Sequence, residues 1–167
     1  MSNGSILVVN AGSSSLKFSL FRLDAADALQ LAVRGQIDGI GSQPHFKVKD
    51  DTGKTLADRD LALEEAREVK DAIAIAGGWL REQFPGEPLL AVGHRVVHGG
   101  ADYAQPVRVD AAVLAALEKL IPLAPLHQPH NLAAIRAMRE TLPQVPQIAC
   151  FDTAFHRTHP QLADVYA

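Results

Sequence analysis

Apolar residues recur along this chain with two different periods, and the switch between them near Ala62 sets the class of fold before any motif is considered. In the N-terminal part the period is two. Ile6 to Asn10 is a short buried-strand run, Ala11-Gly12-Ser13-Ser14-Ser15 is turn chemistry, and Leu16, Phe18 and Leu20 alternate with polar residues through Leu23. These three segments predict a hairpin with a small, polar tip. Leu29 to Ile37 and His45 to Val48 read as further strands, separated by Gly39-Ile40-Gly41-Ser42, and Asp50-Asp51-Thr52-Gly53 is another turn. From Ala62 the spacing becomes three and four. Ala62, Ala66, Val69, Ile73, Ala76, Leu80 and Phe84 form one stripe on a helix that Pro85-Gly86 ends, with Gly77-Gly78 weakening it by roughly 1 kcal/mol per glycine.

Leu89 to Val97 then reads as a buried strand running into His98-Gly99-Gly100. Asp110 is placed to cap a helix carrying Val113, Leu114, Leu117 and Leu120, and Pro122, Pro125 and Pro129 stiffen the loop after it. A second helix is expected near Asn131, with Leu132, Ile135, Met138 and Leu142 on its buried side, and Gln147 to Phe151 is a last apolar strand. Consecutive strands followed by helix, strand, helices and strand predict an α/β fold. Its sheet is mixed, with N-terminal antiparallel hairpin strands and later strands joined by crossover helices. In such a sheet the ligand crevice lies outside the carboxyl ends of the strands. Polar clusters fall at three such ends: Asn10 to Lys17, His94 to Gly100, and Asp152.

Composition narrows the partners. With 167 residues, 47% of them apolar, the chain buries roughly 70% of its unfolded surface without help from a disulfide or structural metal. The single cysteine, Cys150, excludes an internal disulfide and suits a reducing compartment. Sixteen basic against nineteen acidic residues give a net charge of −3, which offers no general attraction to nucleic acid or to an acidic membrane. The run Ile6-Leu7-Val8-Val9 is too short for a signal-peptide core and no apolar stretch approaches a membrane span, so the expectation is a soluble cytoplasmic protein. Any anion site must then be local.

Each polar cluster admits a chemical and a plainer reading. Asn10 to Lys17 offers glycine-exposed N–H groups, three hydroxyls, an amide and a lysine, which suit a phosphate; a Gly/Ser turn with a solvated lysine is the alternative. It is not a GxxxxGK[ST] loop, because no glycine precedes Lys17 and a strand follows. Arg95, inside an apolar strand, is expected to be buried and to meet an anion, either a ligand or a protein carboxylate. His94 and His98 invite a zinc reading but lack the HExxH glutamate, and core histidines bonded to backbone are commoner. His127, between prolines and before a helix, could meet an anion or sit in an exposed turn. Asp152, after the last strand, suits a Mg²⁺ contact, the orientation of a nucleophile, or a helix cap.

With these residues in view, the chain resembles the N-terminal part of acetate kinases. The matching stretches are ILVVNAGSSSLKFSLF (Ile6 to Phe21), AVGHRVVHGG (Ala91 to Gly100), LAPLHQPHN (Leu123 to Asn131) and FDTAFHRT (Phe151 to Thr158). The resemblance covers essentially the whole chain. It implies a ribonuclease-H-like, actin-like ATPase domain and Mg²⁺-dependent, reversible phosphoryl transfer from ATP to acetate, giving acetyl phosphate and ADP. By matching motif it implies that Asn10 helps bind the metal, and that Gly12, Ser13, Ser15 and Lys17 contact the nucleotide phosphates. It places Arg95 on the acetate carboxylate and the transferring phosphoryl group, His127 on the same group, and Val97 and Leu126 at the methyl pocket. Asp152 takes the position of the family's proposed acid/base. Acetic acid, with a pKa near that of glutamate, ~4.3, is already ionised at neutral pH, so Asp152 is expected to fix Mg²⁺ and its water instead of removing a proton.

The resemblance also implies that residues 1–167 are the N-terminal domain of a longer chain whose nucleotide-binding domain is absent, a fragment without kinase turnover alone. Family members dimerise largely through that second domain, which leaves the fragment's own state open. A propionate kinase of the same family is the near alternative, since one methylene changes discrimination by only about 1–3 kcal/mol. A non-catalytic anion-binding module and a zinc hydrolase drawing on the seven histidines are the more distant ones.

Overall fold

The protein is described by a computed structural model covering residues 4–26 and 28–154. Strand β1 (Gly4–Ala11) and strand β2 (Ser15–Leu23) form the expected hairpin, with Asn10 opposite Lys17 and Ala11 opposite Leu16. Strands β3 (Leu29–Asp38), β4 (His45–Asp50) and β5 (Thr55–Asp60) extend it antiparallel, one after another. On the other side of β1, β6 (Leu89–Val96) and then β8 (Gln147–Phe151) pair in parallel, and the two-residue β7 (Val107–Arg108) closes that edge antiparallel to β8. The result is an eight-stranded mixed sheet in the order β5-β4-β3-β2-β1-β6-β8-β7. The helices are α1 (Val69–Gln83), α2 (Ala111–Glu118) and α3 (Gln128–Thr141).

Strand alternation decides which face is covered. Leu7, Val9, Ala11, Leu16, Phe18, Leu20, Val33 and Ile37 all turn to one face, where α1 and α3 pack on them. Val96, Ala149 and Phe151 continue that face into a second cluster with Val113 and Leu117 of α2 and Leu132 and Ile135 of α3. The alternate residues Val8, Lys17, Arg34, Arg95 and Cys150 point the other way and are exposed. Gly35 belongs to the covered face for a steric reason: the Phe18 ring lies 2.3 Å from where its Cβ would stand.

The structure departs from the sequence reading in four places. β5 has no counterpart among the expected strands, because Thr55–Asp60 is an edge strand exposed at all positions but Ala57 and has no apolar alternation. It is held by charge, with Lys47 Nζ 2.6 Å from Asp58 and the His45 ring between Asp58 and Asp60. β7 is too short to carry a pattern. The first helix begins at Val69 instead of Ala62, after a single 3-10 turn at Leu63–Glu65. The Asp71 carboxylate accepts from Arg67 N and Glu68 N, which fixes the start there, while Ala66 is buried ahead of the helix as part of the same core. Finally, α3 starts at Gln128, three residues early, because Pro129 sits in the first turn where its missing N–H costs nothing.

Candidate functional site

Because β1, β6 and β8 run parallel as neighbours, their carboxyl ends open on one edge of the sheet. The hairpin tip after Ala11, the segment Val97–Gly100 and the pair Asp152-Thr153 therefore arrive at the same place, although 140 positions separate the first from the last. Two buried side chains from the first turn of α3 hold these ends together. Asn131 Nδ2 donates to Ala11 O at 2.8 Å, and its Oδ1 accepts from Val97 N at 3.1 Å. Gln128 Nε2 donates to His98 O at 3.0 Å and to Leu117 O at 3.3 Å, while its Oε1 accepts from His98 N at 3.3 Å. Thr153 Oγ1 accepts from Gly99 N at 3.0 Å, tying the exit of β8 to the same loop. None of Gln128, Asn131 or Thr153 stands out as a site residue from the sequence; for the two amides, a place in the proline-stiffened first turn of an apolar helix is the signal that could have found them.

At the exits of β6 and β8, Arg95 and Asp152 meet in a two-pronged pair. Arg95 Nε donates to both Asp152 oxygens at 3.0 Å and Nη2 donates to Oδ2 at 2.7 Å. Their side chains remain 54% and 40% exposed, which leaves both open to a ligand. Arg95 is thus not buried as its apolar strand suggests: the pleat sends His94 inward and Arg95 outward. The hydrogen bond that Arg95 donates to Asp152 raises the Arg95 pKa above its ordinary value against a smaller opposing effect of desolvation. His94, inside, donates from Nε2 to Gln147 Oε1 at 2.6 Å, and burial pushes its pKa below the usual imidazole value. That bond commits its Nε2, and among the described residues no group of three or more His, Cys, Asp and Glu is gathered to hold a metal. His98 accepts from Gly100 N at its Nδ1, at 2.8 Å, so the loop holds that ring in place.

The hairpin tip is tight, with Gly12 N donating to Ser15 O at 2.8 Å. A Cβ on Gly12 would meet only Ser15 atoms at 3.6 Å and beyond, ordinary contact distance, so the fold itself does not demand glycine there. The bare backbone is free for a ligand to approach. Ser13 and Lys17 are exposed, and Asn10 and Ser15 are half-buried. His127 is exposed at the N-cap of α3 with no side-chain bond to the helix. Val97 is half-buried beside Asn131, whereas Leu126 is 75% exposed. Of the stretch Phe151 to Thr158, the part from Phe155 lies outside the described residues. Hard oxygen donors, the Asn10 amide and the Asp152 carboxylate, suit Mg²⁺ in kind.

Comparison with known proteins gives the family and the fold of the chain. The profile of the acetokinase family matches residues 5–167. An acetate kinase from Nitrobacter hamburgensis is 52% identical over 163 residues, covering 98% of this chain and 40% of that protein. One from Rhizobium meliloti is 51% identical over 162 residues, covering 97% and 41%. Among solved structures, a propionate kinase from Francisella tularensis superposes with a TM-score of 0.83 at 34% identity, and an acetate kinase from Porphyromonas gingivalis with 0.83 at 31%. Each match covers 95% of this chain, and 39% and 40% of those chains respectively. The chain thus spans about 40% of the length of the curated relatives it matches. With the family profile matching residues 5–167, nearly its full length, the chain belongs to the acetokinase family.

Proposed function

We propose that this chain forms the N-terminal domain of an acetate kinase, which transfers the γ-phosphoryl group of ATP reversibly to acetate in the cytoplasm, giving acetyl phosphate and ADP. The observation that carries the reading is the exposed Arg95–Asp152 pair at adjacent parallel strand ends, beside a glycine-serine hairpin whose glycine the fold does not require. Acetate and phosphate are both anions, so the main task of the site is to reduce their mutual repulsion in a fixed geometry. The Arg95 fork suits a carboxylate or a phosphoryl group, and Lys17 adds a point charge. The Ser13 and Ser15 hydroxyls donate to nucleotide phosphate oxygens, which the bare Gly12 lets approach the backbone, and His127 donates to the group in transfer. Val97 and the exposed Leu126 close over the methyl group, which gains its cover when substrate is bound.

Acetate needs no general base, because it is ionised at neutral pH. Asp152 therefore holds the guanidinium of Arg95 in line, and with Asn10 it provides oxygen donors for Mg²⁺. Bound there, Mg²⁺ would supply charge neutralisation between phosphate oxygens. The chain corresponds to about 40% of the length of its acetate kinase relatives, and on this reading the nucleotide domain and a homodimer contact belong to the part of those proteins it does not cover; residues 1–167 by themselves are expected to bind phosphate weakly without turning over. Acetate is preferred over propionate as substrate because the relatives at about 50% identity are acetate kinases, while the propionate kinase is at 34%.

The test is Asp152→Asn in a protein that joins this domain to the rest of a family chain. Turnover is expected to fall by about 100-fold or more, with a changed Mg²⁺ dependence. Full turnover with a normal Mg²⁺ response would remove both roles given to Asp152. Comparing kcat/KM for acetate and propionate in the same protein decides the substrate.

A further inference from the structure

A second cluster of cations lies at the other end of β8, away from the strand exits. A cavity of about 490 Å³ opens where β8 begins, walled by Pro143 and Pro146 and lined by Arg108, Arg139, Asp110 and Gln147. Its volume is in the range of small-ligand sites. Arg139 comes from the last turn of α3 and Arg108 from the edge strand β7. Among the described residues neither guanidinium forms an ion pair, and Arg139 Nη1 is buried without any hydrogen-bond partner. An enclosed, unpaired guanidinium nitrogen is costly, and it shows that the Arg139 head group is confined by packing instead of moving freely in solvent. The one carboxylate at the cavity, Asp110, already accepts from Val113 N at 2.8 Å to cap α2. Two guanidiniums against one committed carboxylate leave the cavity positively charged in a protein whose overall charge is −3.

The geometry points to an anion site here, formed by Arg108 and Arg139, for a small phosphate-type oxyanion such as a phosphate monoester. Two planar forks on different elements match the several oxygens of one phosphate, and the proline walls keep the cavity from closing on them. Five residues of β8 separate this cavity from Asp152, about 16 Å at strand rise, so this is a different site from the phosphoryl crevice and does not depend on it. It is nevertheless joined to that crevice by two rigid paths. Gln147 bonds to His94 in β6, and α3 carries Arg139 at one end and Gln128 and Asn131 at the other.

The experiment is a titration of the 167-residue chain with inorganic phosphate at constant ionic strength, followed through the arginine side-chain Nε–H signals. Those of Arg108 and Arg139 are expected to move saturably, and to do so equally in an Arg95→Met chain whose phosphoryl crevice is damaged. Arg108→Met, on an exposed two-residue edge strand, leaves the fold intact and is expected to raise the dissociation constant at least tenfold. Arg139→Lys keeps the charge but loses the fork, and is expected to weaken binding as well. Signals of Arg108 and Arg139 that do not move, that drift linearly without saturation, or that respond only while Arg95 is present would overturn the site.

Discussion

At the scale of single residues, the pleat of β6 separates two groups with opposite duties. Arg95 faces solvent and Asp152, and exposed pairs of this kind contribute only about 0–1 kcal/mol to stability. Asp152→Asn should therefore leave the thermal midpoint nearly unchanged while turnover collapses, a split that a merely structural pair would not produce. Its neighbour His94 is the reverse, 3% exposed and bonded to Gln147. Burial lowers its pKa below 6.5, so the unfolded chain binds a proton more readily than the native one. Below about pH 6.5 stability should fall as pH falls, with His94 contributing a slope of up to about 1.4 kcal/mol per pH unit until its native pKa is reached; above that range its contribution is flat. Denaturant midpoints measured between pH 5 and 8 on wild type and on His94→Gln check this. The difference between the two should shrink toward low pH, and a difference independent of pH would show that burial does not lower the pKa of His94 in the native state.

At the scale of elements, the first turn of α3 acts as the clasp of the site. Asn131 bonds to Ala11, 120 positions earlier, and to Val97, 34 earlier, and so sets the spacing of the β1 and β6 exits. Asn131→Ala removes the side-chain partners of the Ala11 carbonyl and the Val97 N–H, and should cost about 2–6 kcal/mol, taking about 1–3 for each. Asn131→Asp keeps the acceptor for Val97 N but loses the donor to Ala11 O, so it should be destabilising too. Chemical denaturation of the two variants tests the pair; unchanged stability in both would show that the clasp contributes nothing. Sequence periodicity locates α3 correctly but cannot show this use of it. Hydrophobic spacing reports which side of a helix is buried, whereas Asn131 and Gln128 act through hydrogen bonds to backbone that is close only once the sheet has formed. β5 is illegible for the complementary reason, since Thr55–Asp60 is held by the charges of Lys47 and His45 on the next strand and has almost no buried surface of its own.

At the scale of the whole molecule, the eight strands are unequally protected. β1 and β6 lie in the middle of the sheet beneath α3, while β5 and β7 are edges. Native-state hydrogen exchange should rank amides of β1 and β6 slowest and those of β5 fastest, because few buried contacts oppose local opening of β5. Equal protection of β5 and β1 would mean that the polar wing is stapled more firmly than its ion pairs suggest. Among the described residues no helix is long and apolar enough to cross a membrane. The Arg95–Asp152 site and the Arg108–Arg139 cavity lie at opposite ends of β8, one held by residues after Phe151 and the other by residues around Gln147.

The sequence by itself determined the strand hairpin, the order of the elements other than the edge strands β5 and β7, and the polar segments that the fold gathers at the strand exits. Each of these rests on local rules: alternation for Leu16, Phe18 and Leu20, turn chemistry for Gly12 and its serines, and three-and-four spacing for Ile73, Ala76 and Leu80. Only the tertiary structure decided that Arg95 faces outward to Asp152, 57 positions away, that Asn131 joins two strand exits, and that Arg108 and Arg139 share a cavity. Side-chain direction in a strand depends on which face the helices cover, and long-range polar partners are chosen by geometry that exists only after the hydrophobic faces have closed.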